Sequence, residues 1–319
     1  MSSRVLLALA IGVMSVAALT ANHASAFCRM TTMGETQIGE QACVEDGDFL
    51  EWPIACLPYA IDERGSSSMA FDEVEQAIDL AFATWEDVTC DGEPVDLIFK
   101  PRLSSTCKRT EFRNPGGNVN TIAFLDPWED QCGRAFSRNA LAVTIVMFDS
   151  SNGRILDADM LINDALGPFA QCDPDLGCEP GTQSNPGPVD LQSIVTHEAG
   201  HFIGIGHSDV ADATMFPTSP RTEVSKRDLA QDDIKAVCTI YDLPGNLDDN
   251  CEPYVINGFD LNCEDDGPPN CEGGVPVPSS GGCSAVEASP GKTPWSALLI
   301  AMLTLTVLRR RSAPRDERS

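Results

Sequence analysis

From His197 the chain reads His-Glu-Ala-Gly-His-Phe-Ile-Gly-Ile-Gly-His. On a helix, His197 and His201 stand one turn apart on the same face. Two imidazole nitrogens at that spacing can bind one zinc ion. Glu198 lies beside them, within reach of a water on that metal. Gly204 can take the left-handed conformation that ends a helix and turns the chain, which brings His207 back as a third ligand. A fourth coordination position then stays open for water, as a catalytic zinc requires. A zinc held this way lowers the pKa of its water and polarises a carbonyl. Glu198 can take the water's proton and pass it to a leaving amine. The chain has four histidines, and His23 lies in an N-terminal segment expected to be removed. All three that remain belong to this pattern, which argues against three unrelated core histidines.

The elements that must hold these residues are legible in the hydrophobic periodicity. Asp190 reads as an N-cap, with Leu191, Ile194, Val195 and Phe202 forming the stripe behind it. Phe71, Val74, Ile78, Phe82 and Trp85 recur at three- and four-residue spacing and predict a helix over 66–88. Strands are predicted over 54–61, 95–99, 121–125 and 140–148. After the hairpin signal Asn152-Gly153, another runs over 155–162. A last helix is expected to start near Ser225, where Ser225 and Asp228 stand at capping-box spacing. It would bury Ile234, Val237, Cys238 and Tyr241 and end at Pro244-Gly245. Residues 167–190 are rich in Gly, Pro and Asp and read as a long functional loop. Residues 27–50 show no clear period. Asp149, Asp157, Asp159 and Asp164 flank the hairpin; they are candidates to hold calcium, or else form a solvated acidic strand edge.

The 319 residues include 48 acidic and 21 basic ones, a net charge of −27. Nucleic-acid binding needs a basic footprint, so that class is excluded for the body of the protein. Hydrophobic residues at 42% fit a folded domain. Residues 1–26 read as a secretory signal peptide: Arg4, an apolar run from Val5 to Leu19, then Ala24-Ser25-Ala26. A membrane anchor is the alternative for that stretch. Thirteen cysteines in an exported chain imply disulfides. Setting Cys283 aside leaves an even number, and loop length suggests Cys90 with Cys107 and Cys172 with Cys178. Residues 244–282 are dominated by Asp, Asn, Gly and Pro and read as an acidic linker or stalk, or a second small disulfide or calcium module. Beyond it, Trp295 to Leu308 is uncharged and is followed by Arg309, Arg310 and Arg311. That run is shorter than the ~17–25 residues of an ordinary spanning helix.

The histidine motif resembles the zinc site of metzincin metallopeptidases. Its continuation, Ser208-Asp209 and Ala213-Thr214-Met215-Phe216-Pro217, resembles the matrixin branch. The resemblance extends over residues 52–243, through the Trp85 helix, the Asn152-Gly153 hairpin and Asp232-Asp233 before Tyr241. It implies an α+β catalytic domain over 27–243, with a mixed, mostly parallel twisted sheet, an antiparallel edge strand, an active-site helix and a C-terminal helix. It also implies one catalytic zinc on His197, His201 and His207, Glu198 as general base, and Met215 in the turn beneath the ligands. The strand over 155–162 would be the edge that pairs with an extended protein or peptide substrate, and residues 216–228 would wall its side-chain pocket. With Pro217 two positions after Met215, no tyrosine ligand is expected. With no spare histidine, no second structural zinc is expected. No cysteine-switch motif is present. Gly281-Gly282-Cys283, the short apolar run and the arginines resemble the tripartite C-terminal sorting signals of myxobacteria and their relatives. Residues 283–319 would then address the chain to sorting or processing machinery, and a plain tail anchor is the alternative. The combined expectation is an exported monomeric zinc endopeptidase acting on extracellular proteins, at the cell surface or released. An intact Glu198 favours it over the rival, a non-catalytic adhesion module with a vestigial zinc site. A narrower possibility is a peptidase that acts only on a partner exported with it.

Overall fold

A computed structural model of the chain describes residues 27–34, 43–54, 56–107, 110–112, 116–128, 136–179, 181–182, 187–241, 251–262, 270–271 and 284–286. The signal segment over 1–26, Pro244-Gly245, Cys283, the Trp295–Leu308 run and its arginines lie outside the described residues, as does most of the 244–282 stretch.

The elements used below, in chain order, are strand β1 (Phe27–Arg29), β2 (Cys56–Asp62), helix α1 (Phe71–Glu86), β3 (Ile98–Ser105), β4 (Thr121–Leu125) and β5 (Ala142–Phe148). They continue with β6 (Ile155–Asn163), α2 (Leu191–Phe202), β7 (Ile205–Ser208), β8 (Thr218–Pro220) and α3 (Gln231–Tyr241). Five strands form one sheet in the order β3-β2-β4-β6-β5. The first four run parallel, and β5 pairs antiparallel with β6. This is the expected mixed α+β sheet with an antiparallel edge strand.

The edge strand itself differs from expectation. It is β5, not the 155–162 strand. β6 is enclosed because Ile122 pairs with Met160 and Leu125 with Asn163 on its other side. The hairpin signal showed that the two strands pair, but not which one a third strand would cover.

Alternation along the strands divides the sheet into two faces. Ala142, Val146 and Phe148 of β5, with Ala158, Met160 and Ile162 of β6, join the larger core beneath α1 and α2. Val143, Ile145, Met147 and Leu161 join a smaller core on the other side, with Phe112 and Ala123. α1 buries Val74, Ala77, Ile78, Ala81, Phe82 and Trp85 at the predicted spacing. Phe82 stacks on Tyr59 of β2 with ring centroids 4.3 Å apart. Truncating a ring buried this way typically costs ~3–5 kcal/mol. The helix begins at Phe71 rather than Ser66, where Glu73 accepts the Ala70 N–H at 3.1 Å.

The C-terminal helix also starts later than expected, at Gln231. Residues Ser225–Arg227 form a separate 3-10 turn. Lys226 and Arg227 in that turn reach inward to main-chain and carboxylate acceptors, which holds the segment out of a continuous helix.

Disulfides join Cys28–Cys43, Cys56–Cys251, Cys90–Cys238 and Cys172–Cys178. The Cys172–Cys178 pairing matches expectation. Cys90 is bonded to Cys238 and not to Cys107: the fold lays α3 beside the turn after α1, a contact across 148 positions that loop length does not reveal. Residues 251–262 pack on the domain. Tyr254 donates its N–H to Cys56 O, and Asn118 donates its N–H to Gly258 O. No helix among the described residues is long and apolar enough to cross a membrane.

Candidate metal centre

Helix α2 starts at a locked N-cap. The Asp190 carboxylate accepts the Ser193 N–H at 2.9 Å and is gripped by the Arg227 guanidinium at 2.8 and 2.5 Å. The helix is buried along its whole length. Its flank is tied to α1, where the Trp85 indole donates to Thr196 O at 2.9 Å. At its C-terminal end, carbonyls that no helical amide can satisfy need other donors. The Trp52 indole serves Phe202 O at 2.8 Å, and the Tyr241 hydroxyl serves Ile203 O at 2.9 Å.

The chain then turns at Gly204, at φ +88° as expected, where a Cβ would lie 2.4 Å from Leu50 O. That turn leads directly into β7, which carries His207 and is itself paired with β1. His197, His201 and His207 therefore meet, with ring centroids 4.8–5.4 Å apart. Each offers a nitrogen within 4.8 Å of the other two. His197 and His201 are fully buried, and His207 is 4% exposed.

Second partners orient the rings. His197 Nδ1 lies 2.6 Å from Thr214 O, and His201 Nδ1 lies 2.9 Å from Ile205 O. A carbonyl only accepts, so each Nδ1 carries the proton and each Nε2 keeps its lone pair. Burial first, then the Lys226 ammonium and the two neighbouring histidines, hold His197 well below the ordinary imidazole range. It is a neutral donor. Its Nε2 is buried without a hydrogen-bond partner, which costs ~1–3 kcal/mol unless a ligand takes the lone pair. Three converging imidazoles fit a zinc ion. Among the described residues, the other grouping of ligand-type atoms, Cys172, Cys178 and Asp190, is accounted for by the disulfide and the helix cap.

Met215 is fully buried against α2. A Cβ on Gly200 would lie 2.2 Å from its sulfur, so only glycine permits the approach of α2 to the turn. Asp233 holds the turn: its carboxylate accepts the N–H groups of Thr214 at 2.7 Å, Met215 at 3.0 Å and Ala230 at 2.8 Å. Burial raises its pKa, and those bonds counteract the rise. Lys226 donates to Thr214 O at 2.7 Å and to Phe216 O. Thr214 O thus joins His197 to a buried ammonium.

Glu198, fully buried, has its Oε2 bonded by the Thr144 hydroxyl of β5 at 2.8 Å. The sequence reading missed Thr144, Lys226 and the detailed role of Asp233. The available signal for Thr144 was a lone hydroxyl in an apolar run. For Asp233 it was an acidic residue at the third position of α3.

The four aspartates proposed for calcium are not gathered. Among the described residues, no three of Asp149, Asp157, Asp159 and Asp164 bring carboxylate oxygens within 4.8 Å of one another. Asp149 closes the hairpin turn through Ser151 and Asn152. Asp159 accepts the Thr121 N–H at 2.8 Å. Asp164 accepts the Ser66 hydroxyl and the Ser67 N–H at 2.7 and 2.9 Å.

The matrixin family model matches residues 51–242, more than half of the chain. Over 200 residues the chain is 38% identical to Metalloendoproteinase 2-MMP of Arabidopsis thaliana, covering 62% of this chain and 44% of that protein. It is 27% identical over 199 residues to Matrix metalloproteinase-C of Caenorhabditis elegans, covering 60% of this chain and 28% of that protein. A shorter match, 38% over 53 residues, is to human Matrilysin, covering 17% of this chain and 20% of that protein. The chain thus spans less than half the length of these curated relatives.

Proposed function

The chain belongs to the matrixin family, and from that premise we propose that it is a zinc-dependent endopeptidase. The observation that carries this reading is the convergence of His197, His201 and His207 beside a buried Glu198. Zinc held there would supply Lewis-acid polarisation of the scissile carbonyl and of the attacking water. Glu198 takes the proton from water as its oxygen bonds to the carbonyl carbon. It returns the proton to the amide nitrogen as the C–N bond breaks. General acid–base work of this kind contributes typically ~10²–10⁴-fold. His197 and His201 would hold the ion through Nε2, with Nδ1 anchored on the Thr214 and Ile205 carbonyls.

The substrate is an extended protein or peptide segment. β5 supports this: it is the sheet edge on the side of Glu198, and strand addition to such an edge recognises main chain before side chain. The protein acts outside the cell as a monomer, reached through the 1–26 segment and addressed by 283–319. The disulfides among the described residues support an oxidising compartment.

A peptide-library digest by the full-length chain, with zinc quantified on the same sample, tests the reading. Internal cleavage that a chelator abolishes and zinc restores is expected. Full zinc occupancy without cleavage of any library member would favour the rival, a binding module with a vestigial site.

A further inference from the structure

Four residues of β5 face the helices: Ala142, Thr144, Val146 and Phe148. The other three lie in the apolar core, and Thr144 is the only polar one. It is fully buried. A buried hydroxyl needs a partner, and Thr144 Oγ1 lies 2.8 Å from Glu198 Oε2 and 3.1 Å from Glu198 O. The hydroxyl has one proton for these two acceptors. The carboxylate is the shorter contact and carries the charge, so it is the stronger acceptor.

We propose that Thr144 is the positioning residue of the general base, reaching from the substrate-side edge strand to fix the rotamer of the Glu198 carboxylate. This inference rests on the zinc-endopeptidase reading above. A glutamate's terminal torsion is broad and roughly two-fold, so an unanchored carboxylate samples orientations in which neither oxygen is aimed at water. The hydroxyl pins Oε2 and with it the plane of the carboxylate. Because Thr144 is β-branched and sits in a strand, its own χ1 is restricted. Residues Val143 and Ile145 on either side are buried in the opposite core, which fixes the strand that carries it. The strand that would pair with substrate and the group that orients the base are therefore one element. The bond acts through Glu198 and adds nothing to the zinc ligands.

Three full-length variants test this: Thr144→Val, which keeps the shape and removes the hydroxyl, Thr144→Ser, which restores it, and Thr144→Val combined with Glu198→Ala. With a peptide substrate, Thr144→Val is expected to lower kcat by about 10- to 100-fold, the range of one hydrogen bond to a charged group. KM should stay within about twofold, with one zinc per chain. Thr144→Ser should recover kcat to within about threefold of the parent. A second readout needs no turnover: calorimetric affinity of the zinc-loaded proteins for a hydroxamate, whose hydroxyl needs an oriented carboxylate acceptor. Thr144→Val should weaken that affinity about tenfold on Glu198 and not at all on Glu198→Ala, as coupled neighbours require. A Thr144→Val chain with parental kcat and parental hydroxamate affinity overturns the proposal. So does equal weakening with and without Glu198. If the parent cleaves nothing, the endopeptidase reading fails, and the hydroxamate cycle still decides whether Thr144 positions Glu198.

Discussion

His197 and His201 use Nδ1 on the carbonyls of Thr214 and Ile205, which turns their second nitrogens toward a common point. Asp159 and Asp164, in the hairpin region, use their carboxylates on the N–H groups of Thr121 and Ser67. Both groups of residues have the chemistry of metal ligands, and the difference lies in what remains after the fold has taken its hydrogen bonds. An imidazole has two nitrogens on opposite edges, so one can be anchored while the other is presented. In the zinc region the fold also has an aspartate of the second kind: Asp233 has three main-chain amides on it and no metal role. Residue type nominates a ligand, and convergence of the remaining lone pairs makes one.

The largest expected effect breaks the histidine side of this contrast. His201→Ala removes one of three ligands, and two rarely hold a catalytic zinc. After dialysis, zinc should fall to near zero and peptidase activity with it. Full occupancy in that variant would remove the ligand assignment. Next, Glu198→Ala should retain zinc while activity drops by about 10²–10⁴-fold, because Glu198 is the base and not a ligand. Parental cleavage by that variant would end the proposed mechanism. A smaller effect is expected at Asp233→Asn. An amide nitrogen cannot accept, so at least one of the three N–H groups at this buried site loses its partner. The cost should be about 2–4 kcal/mol in denaturant unfolding, accompanied by weaker zinc retention because the Met215 turn loosens. A variant as stable as the parent would show that the turn is held by Lys226 and packing instead.

Much of the site could be read from sequence, for a physical reason. His197, Glu198, His201, Gly204 and His207 lie within eleven consecutive residues running from α2 through the turn into β7, where local geometry fixes most of their relation. α1 was legible because one helical stripe faces one core. What was lost depends on contacts distant in sequence. Thr144 sits in Ala-Val-Thr-Ile-Val-Met-Phe, where a threonine is accounted for by strand propensity, and only the packing of β5 on α2 shows its hydroxyl against Glu198. The start of α3 was misplaced because Ser225 and Asp228 satisfy a local capping pattern. Lys226 and Arg227 are drawn instead to Thr214, Phe216, Asp190 and Cys172. The Cys90–Cys238 bond and the enclosure of β6 likewise follow from topology, which spacing does not contain.

The smallest effect sharpens the aspartate side. Asp164 joins the turn before α1 to the segment after β6 through the Ser66 hydroxyl and the Ser67 N–H. Ser67 is exposed, and water can replace Asp164 there. Asp164→Ala should therefore cost only about 1 kcal/mol, or roughly 2–4 °C in Tm for a domain of this size. Zinc content and kcat/KM should stay parental, because no bond from Asp164 reaches α2 or the Met215 turn. Calcium makes the comparison decisive. A ligand bound only by the folded state stabilises it by about 2.7 kcal/mol at one hundred times its Kd. If Asp164 serves Ser66 and Ser67 and not a cation, the Tm difference between parent and Asp164→Ala will be the same in millimolar calcium and in chelator. A difference that appears only with calcium would place Asp164 with the histidines, as a residue whose remaining lone pairs hold a metal.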